Sequence, residues 1–218
     1  MPVTLLVWRV PRRAVGSAML RLAVARRPPG ARFAKFLGTG TGVTFGPGDA
    51  DLTRYAAVVV GDRPVQLPGW DRLAVARARV ELETITSRGR WSGREPFVPS
   101  GHPARHGGMV LALTRARLRP AKAVTFWRAV PPVTRELAVA PGLLARFGIG
   151  EAPIGWQGTI SVWRDAADLV RFAYRQPEHR AVVKRTPTDG WYAEELFARF
   201  AVRGISGDRS VLGWLEEG

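Results

Sequence analysis

Chemistry in this chain has few places to reside. There is no cysteine, which removes thiolate nucleophiles, disulfides, iron–sulfur clusters, cysteine-ligated zinc and thiolate-ligated haem. Three histidines remain. His102 and His106 have the i,i+4 spacing of a helical metal pair, but Pro103 between them and Gly101, Gly107 and Gly108 around them disfavour the helix that would align two imidazoles. His179 is set differently, in Phe172-Ala173-Tyr174-Arg175-Gln176-Pro177-Glu178-His179-Arg180, where Pro177 can open a helix with the histidine in its first turn. A ligand role, a half-buried imidazole satisfied by a backbone group and a plain surface position all suit that setting. Among the carboxylates, Glu151 follows Gly148-Ile149-Gly150 at a strand end and is a candidate polar group at the mouth of a site, whereas Glu194-Glu195 and Glu216-Glu217 read as surface charge. Trp91, Phe126, Trp127, Trp156, Trp163, Phe172 and Trp191 could line a cavity for a large apolar ligand or pack a core. No G-x-S-x-G elbow is present, and Gly38-Thr39-Gly40-Thr41-Gly42 is followed by Pro47 and Gly48 where a nucleotide loop needs a helix, so it reads as a sharp turn.

The elements that must hold these residues follow from periodicity. Residues 4–10, 33–39, 55–61 and 80–86 read as strands, and 14–26 has helical spacing, so the first half reads β-α-β-β-(short α)-β. The second half repeats that order: strand 109–117, helix 122–139, strands 143–150 and 159–163, helix 165–174, a further helix near 179–185, and strand 196–202. Pro131 and Pro132 are expected to kink or split the long helix. Letters repeat as well. Leu22-Ala23-Val24-Ala25, Pro29-Gly30 and the stretch from Phe33 to Gly40 are echoed by Leu137-Ala138-Val139-Ala140, Pro141-Gly142 and the stretch from Leu144 to Gly150. Two such units, each a ferredoxin-like sheet with helices on one face, can pair their sheets and bury both open faces. The expected fold is α+β, tandem ferredoxin-like units fused into a barrel within one chain. Its expected divisions are a half at 1–95, a linker at 96–108, a half carrying the site at 109–205, and a tail at 206–218.

Charge adds a statement about partners. The 33 basic residues, all but three of them arginine, face 18 acids for a net +15, and no acid precedes Asp49. Nucleic-acid phosphates, an anionic membrane surface, acidic groups on a bound ligand and a merely solvated surface are the competing readings. With no zinc-finger spacing, RRM motif or helix-turn-helix, nucleic acid rests on charge alone. The apolar stretch at 3–8 is too short for a secretory core and is followed at once by Arg9, Pro11, Arg12 and Arg13, so a soluble cytoplasmic protein is expected. Arg12, Arg13, Arg21, Arg26 and Arg27 also flank an apolar helical stripe, the pattern of a peripheral membrane contact.

Several segments resemble the spheroidene monooxygenase family, haem-dependent carotenoid ketolases of purple bacteria. They are Phe33-Ala34-Lys35-Phe36-Leu37-Gly38-Thr39-Gly40-Thr41-Gly42, Gly89-Arg90-Trp91-Ser92-Gly93 with Pro96-Phe97, Leu113-Thr114-Arg115-Ala116, Phe126-Trp127-Arg128, Phe147-Gly148-Ile149-Gly150-Glu151, Ile160-Ser161-Val162-Trp163, the Phe172 to His179 stretch, and Gly190-Trp191-Tyr192-Ala193-Glu194-Glu195-Leu196-Phe197-Ala198-Arg199-Phe200. The resemblance implies a dimeric α+β-barrel type fold, in agreement with the duplication, and a b-type haem used with O2 and an external reductant such as a ferredoxin. An apolar, polyene-like substrate would be hydroxylated at carbon, and a second round on that carbon would give a ketone after loss of water. It makes His179 the leading axial ligand to iron. By position, Arg128 and Arg180 are candidates for orienting the haem propionates, and Glu151 and Trp163 for lining the reaction cavity. Pro64, Pro68 and Gly69 stand where the family has a longer helix, and residues 207–218 depart from its ending. Alternatives on the same fold are a non-catalytic haem or small-ligand binding barrel and another haem reaction such as aldoxime dehydration. Association into a homo-oligomer stays open.

Overall fold

The computed structural model describes residues 1–44, 47–99, 107–151, 156–175 and 190–215. Its strands are β1 (Pro2–Arg9), β2 (Ala31–Gly40), β3 (Ala50–Gly61), β4 (Ala76–Gly89), β5 (Val110–Leu118), β6 (Leu143–Glu151), β7 (Trp156–Trp163) and β8 (Tyr192–Gly207). They close into one antiparallel barrel in the order β1-β3-β2-β6-β7-β5-β8-β4. Residues 2–89 supply the wall β4-β1-β3-β2 and residues 110–207 the wall β8-β5-β7-β6, each with its first and third strands at the centre. The walls meet along a long β4–β8 ladder and a short β2–β6 seam. In that seam Gly38-Thr39-Gly40 lies against Gly148-Ile149-Gly150, so the two echoed glycine motifs pair with each other.

Alternation along each strand sorts the side chains. Leu5 and Val7 of β1, Val58 and Val60 of β3, Leu111 and Leu113 of β5, Phe147 and Ile149 of β6, Ile160 and Val162 of β7, and Leu196 and Phe200 of β8 point inward and fill the barrel as one cluster. Each end is closed by the segment that follows the last strand of a half. After β4, Trp91 and Phe97 enter the cluster and meet Phe33 and Phe200 edge-on, with centroids 5.6 Å apart for Phe33–Trp91 and 5.0 Å for Phe97–Phe200. After β8, Asp208 accepts a hydrogen bond from Ser210 N–H at 2.8 Å and starts a 3-10 turn, Arg209–Leu212, that buries Val211 and Leu212 completely. Arg54 holds this turn, lying 5.1 Å over the Phe147 ring and donating to Val211 O at 3.4 Å. Burial lowers the Arg54 pKa, and Asp51 at 3.6 Å opposes that shift. Among the described residues, the interior is thus filled by apolar side chains and each end carries a buried apolar plug.

Helices cover the two outer walls. On the N-terminal wall, α1 (Val15–Ala23) packs through Ala18, and the one-turn α2 (Pro68–Asp71) brings Trp70 against Trp8 and Tyr55 at 5.3 Å each and Phe36 at 6.1 Å. Trp8 Nε1 donates to Asp71 at 2.9 Å. On the C-terminal wall, α3 (Ala123–Ala138) and α4 (Ala166–Arg175) enclose Val110, Leu137, Leu143, Trp163, Leu169 and Phe172. Pro131 and Pro132 do not split α3, which is helical on both sides of them, with Thr134 Oγ1 donating to Pro131 O at 2.8 Å. Asp165 starts α4 by accepting from Asp168 N–H at 2.8 Å.

Candidate functional site

Five of the motif segments converge at the barrel end that Trp91 plugs. Inward parity puts Lys35 with Phe33 and Leu37 on β2, Arg115 with Leu111 and Leu113 on β5, Glu151 with Phe147 and Ile149 on β6, and Glu194 with Leu196 and Ala198 on β8. Glu151 is the hub. Its Oε2 accepts from Lys35 Nζ at 2.7 Å, and its Oε1 from Trp91 Nε1 at 2.7 Å and Arg115 Nε at 3.1 Å. Arg115 also pairs with Glu194, which accepts from the backbone N–H of Ser92 at 2.9 Å and Gly93 at 2.7 Å. Lys35 Nζ closes the circuit by donating to Ser92 Oγ at 2.7 Å.

The loop of the GRWSG segment takes its shape from these contacts. Gly89 has φ +92, and a Cβ there would stand 2.2 Å from Glu195 O, so only glycine suits the position. Ser92 adopts φ 54, unusual for a residue with a side chain, and both its hydroxyl and its N–H are held by the network. Burial acts to raise the pKa of Glu194, but hydrogen bonds from Gly93, Ser92 and Arg115 outweigh it and hold the carboxyl below its ordinary 4.5. Two cations and two carboxylates thus satisfy one another at the barrel end, Arg115 and Glu151 buried and Lys35 partly open to solvent. The arrangement fixes strand ends and a loop, and both oxygens of Glu151 are engaged in it.

A second feature lies on the outer side of the C-terminal wall. Ladder positions correspond between halves, since β1 pairs with β3 as β5 pairs with β7. Where the N-terminal wall presents Leu6 opposite Ala57 and Trp8 opposite Tyr55, the C-terminal wall presents Thr114 opposite Thr159 and Ala116 opposite Gln157. Phe36, which pairs with Ala57, corresponds to Gly148, which pairs with Thr159. Leu6, Trp8 and Phe36 of the first wall thus give way on the second to a floor of the smaller Thr114, Ala116 and Gly148, with Arg146 beside them reaching Thr134 O of α3 at 3.5 Å. Trp163 bounds this floor, fully buried, with its Nε1 donating to Ser161 Oγ at 2.9 Å and its ring 5.2 Å from Phe172. A separate groove of about 290 Å³ lies beside the β4–β8 ladder, lined by Leu6, Trp8, Asp71 and Arg77 and reaching Ser206 and Gly207 of β8.

The residues singled out by sequence are distributed as follows. Glu151 and Trp163 do not share a site: they occupy opposite ends of the β6–β7 ladder, Glu151 paired with Trp156 and Trp163 with Leu143. Arg128 lies in α3, with its side chain outside the described set, and His102, His106, His179 and Arg180 lie outside the described residues. Trp91 is a plug rather than a cavity wall, and Phe126 packs edge-on to Trp191 at 5.7 Å. Glu194, expected at the surface, turns inward because it has the parity of Leu196 and Ala198. Lys35, Arg115 and Ser92 were not candidates, although the same parity count reveals the two cations as charges on apolar strand faces.

Comparison with known proteins gives the chain relatives. It is 32% identical over 203 residues to spheroidene monooxygenase of Rhodobacter capsulatus, covering 86% of this chain and 83% of that protein. To spheroidene monooxygenase of Rubrivivax gelatinosus it is 34% identical over 188 residues, covering 82% and 72%. Among solved structures, an aldoxime dehydratase superposes with a TM-score of 0.51 over 92% of this chain and 80% of that one, at 13% identity, a likeness of fold. No protein-family model matches the chain. Identity above 30% across most of both chains places this one in the spheroidene monooxygenase family, and with it among the oxidoreductases.

Proposed function

We propose that this monooxygenase uses a b-type haem seated between the outer face of the C-terminal wall and helices α3 and α4, and hydroxylates an apolar, polyene-like substrate. O2 and an external electron donor such as a ferredoxin complete the reaction, and a second round on one carbon would yield a ketone. The observation that carries the reading is the floor of Thr114, Ala116 and Gly148, standing where the other wall carries Leu6, Trp8 and Phe36. A haem is a flat, mostly apolar plate, and a floor without large side chains, bounded by Trp163 and Phe172, fits it. Bound there, it would supply the activation of O2 needed for C–H hydroxylation.

The chain's own residues would do the rest. His179 is the proposed axial ligand, Arg128 and Arg180 the partners of the propionates, and Trp163 a wall of the substrate space. Glu151 acts in this proposal as a positioning residue, holding the β6 end and the Trp91 loop. We take the two halves, 1–95 and 109–205, to be tandem ferredoxin-like units of the dimeric α+β-barrel type, joined by 96–108, in a cytoplasmic protein. Among the described residues no helix is long and apolar enough to cross a membrane.

The test is a spectroscopic haem titration of wild type, His179→Ala and the floor-filled variant Thr114→Leu/Ala116→Trp, with folding checked by circular dichroism. One haem per chain is expected, with an altered Soret band in His179→Ala and about tenfold or weaker affinity in the filled variant. Absence of saturable binding overturns the haem reading, and unchanged affinity in the folded, floor-filled variant overturns the location.

A further inference from the structure

Helix α1 is apolar on two opposite sides. Its inner side packs through Ala18, with Val15 and Leu22 half-buried against the N-terminal wall. At about 100° per residue, Gly16, Met19, Leu20, Ala23 and Val24 form one continuous arc opposite Ala18. That arc faces solvent, with Met19 51%, Leu20 66% and Val24 63% exposed. A soluble surface helix normally turns charge outward along such an arc.

Cations bracket the arc instead. Arg12 and Arg13 stand exposed before the helix and Arg26 after it, and among the described residues no ion pair engages them. Arg21 and Arg27 are partly committed: Arg21 lies over Gly69 and Arg27 donates to Ala31 O. No carboxylate precedes Asp49 in the chain, and on this wall Asp62 and Asp71 are paired with Arg32 and Arg77, so Arg12, Arg13 and Arg26 leave positive charge around an apolar centre.

We propose that this outward face of α1 docks the protein on an anionic lipid bilayer, with the helix lying in the plane of the interface. A bilayer accepts both parts at once, apolar side chains below the headgroups and arginines at the phosphates. An acidic protein surface would pair with the arginines but would need a matching apolar pocket for Met19, Leu20 and Val24. The inference is independent of haem, because α1 lies on the wall opposite the proposed cofactor floor.

Co-sedimentation of the full chain with phosphatidylcholine vesicles, plain or carrying roughly one-third phosphatidylglycerol, tests it. Binding to the anionic vesicles alone is expected, falling steeply with added salt. Leu20→Gln/Val24→Gln should weaken it by about tenfold or more. Arg12→Gln/Arg13→Gln/Arg26→Gln should weaken it by about 100-fold and flatten the salt response. All these positions are exposed, and circular dichroism confirms that the variants fold. Equal binding to both vesicle types, or folded variants that bind like wild type, overturns the proposal. So does an absence of vesicle binding accompanied by a dimer that Leu20→Gln/Val24→Gln dissolves, or by binding to an acidic protein that this pair of substitutions leaves intact.

Discussion

Glu151→Gln is the sharpest perturbation of the barrel-end network. Lys35, Arg115, Glu151 and Glu194 sum to zero charge, and the substitution leaves one positive charge in excess with almost no change of shape. The amide oxygen can still accept from Trp91 and Arg115, but its NH2 then faces the Lys35 ammonium, previously 2.7 Å from a carboxylate oxygen. Removing one partner of a buried pair costs about 3–5 kcal/mol. The Lys35 side chain is 21% exposed and so partly solvated, which reduces the expected loss to about 2–3 kcal/mol. For a chain of this length that lowers Tm by roughly 4–12 °C. Lys35→Met/Glu151→Gln restores neutrality, leaving Arg115 with Glu194, so the double variant should be more stable than the sum of the singles by about 1–2 kcal/mol. Thermal and urea unfolding of the four proteins, followed by far-ultraviolet circular dichroism, gives the cycle. Additivity to within about 0.5 kcal/mol would show that Lys35 and Glu151 do not act as a charge pair, and the argument would fail.

Two further outcomes follow from the same geometry. Because the Glu194 pKa is held below its unfolded value, the stabilisation is fully present above about 4.5 and is lost as pH falls through the lowered value. The stability gap between wild type and Glu194→Gln, measured by thermal melts, should therefore be constant near neutrality and shrink in acid; a gap unchanged on acidification would refute the assignment. Leu212→Ala removes a fully buried plug side chain and should destabilise by about 2–5 kcal/mol, read as a lower urea midpoint at unchanged m-value.

Much of this architecture was legible in the sequence, because apolar alternation and helical spacing are direct consequences of burial. The strand and helix order of the described elements follows the periodicity read from 4–10 through 196–202. The echo of Gly38-Thr39-Gly40 by Gly148-Ile149-Gly150 marked the seam where the two walls meet. What sequence did not show was where charge goes. Glu194 looks like half of a surface Glu-Glu pair until strand parity assigns its side, and the two residues then separate, Glu194 to buried Arg115 and Glu195 toward exposed Arg88 at 3.9 Å. The segment at 206–218 read as a tail because Val211 and Leu212, the two plug residues in its described part, are too few to make a periodic pattern, and only the closed barrel defines the space they fill.

The closed barrel also explains why the proposed cofactor site falls on one outer wall. Both halves must fill the barrel interior with aliphatic and aromatic side chains to close it, so neither is free to open a cavity there. The outer walls are free to differ. The N-terminal wall spends its outer face on packing, with Trp8, Phe36 and Tyr55 around Trp70, and places its remaining apolar surface on the far side of α1. The C-terminal wall keeps its floor small beneath α3 and α4. The network at the Trp91 end holds the strand ends beside that wall. Trp191 and Glu194 lie at the start of β8, one fully buried and the other bonded to Arg115, Ser92 and Gly93. Glu151 likewise fixes the β6 end opposite Trp156. Charge balance among Lys35, Arg115, Glu151 and Glu194 therefore holds the start of β8, the strand that follows His179 in sequence, against β5 and the Ser92 loop. Haem affinity in the double variant Lys35→Met/Glu151→Gln should accordingly stay closer to wild type than in Glu151→Gln alone.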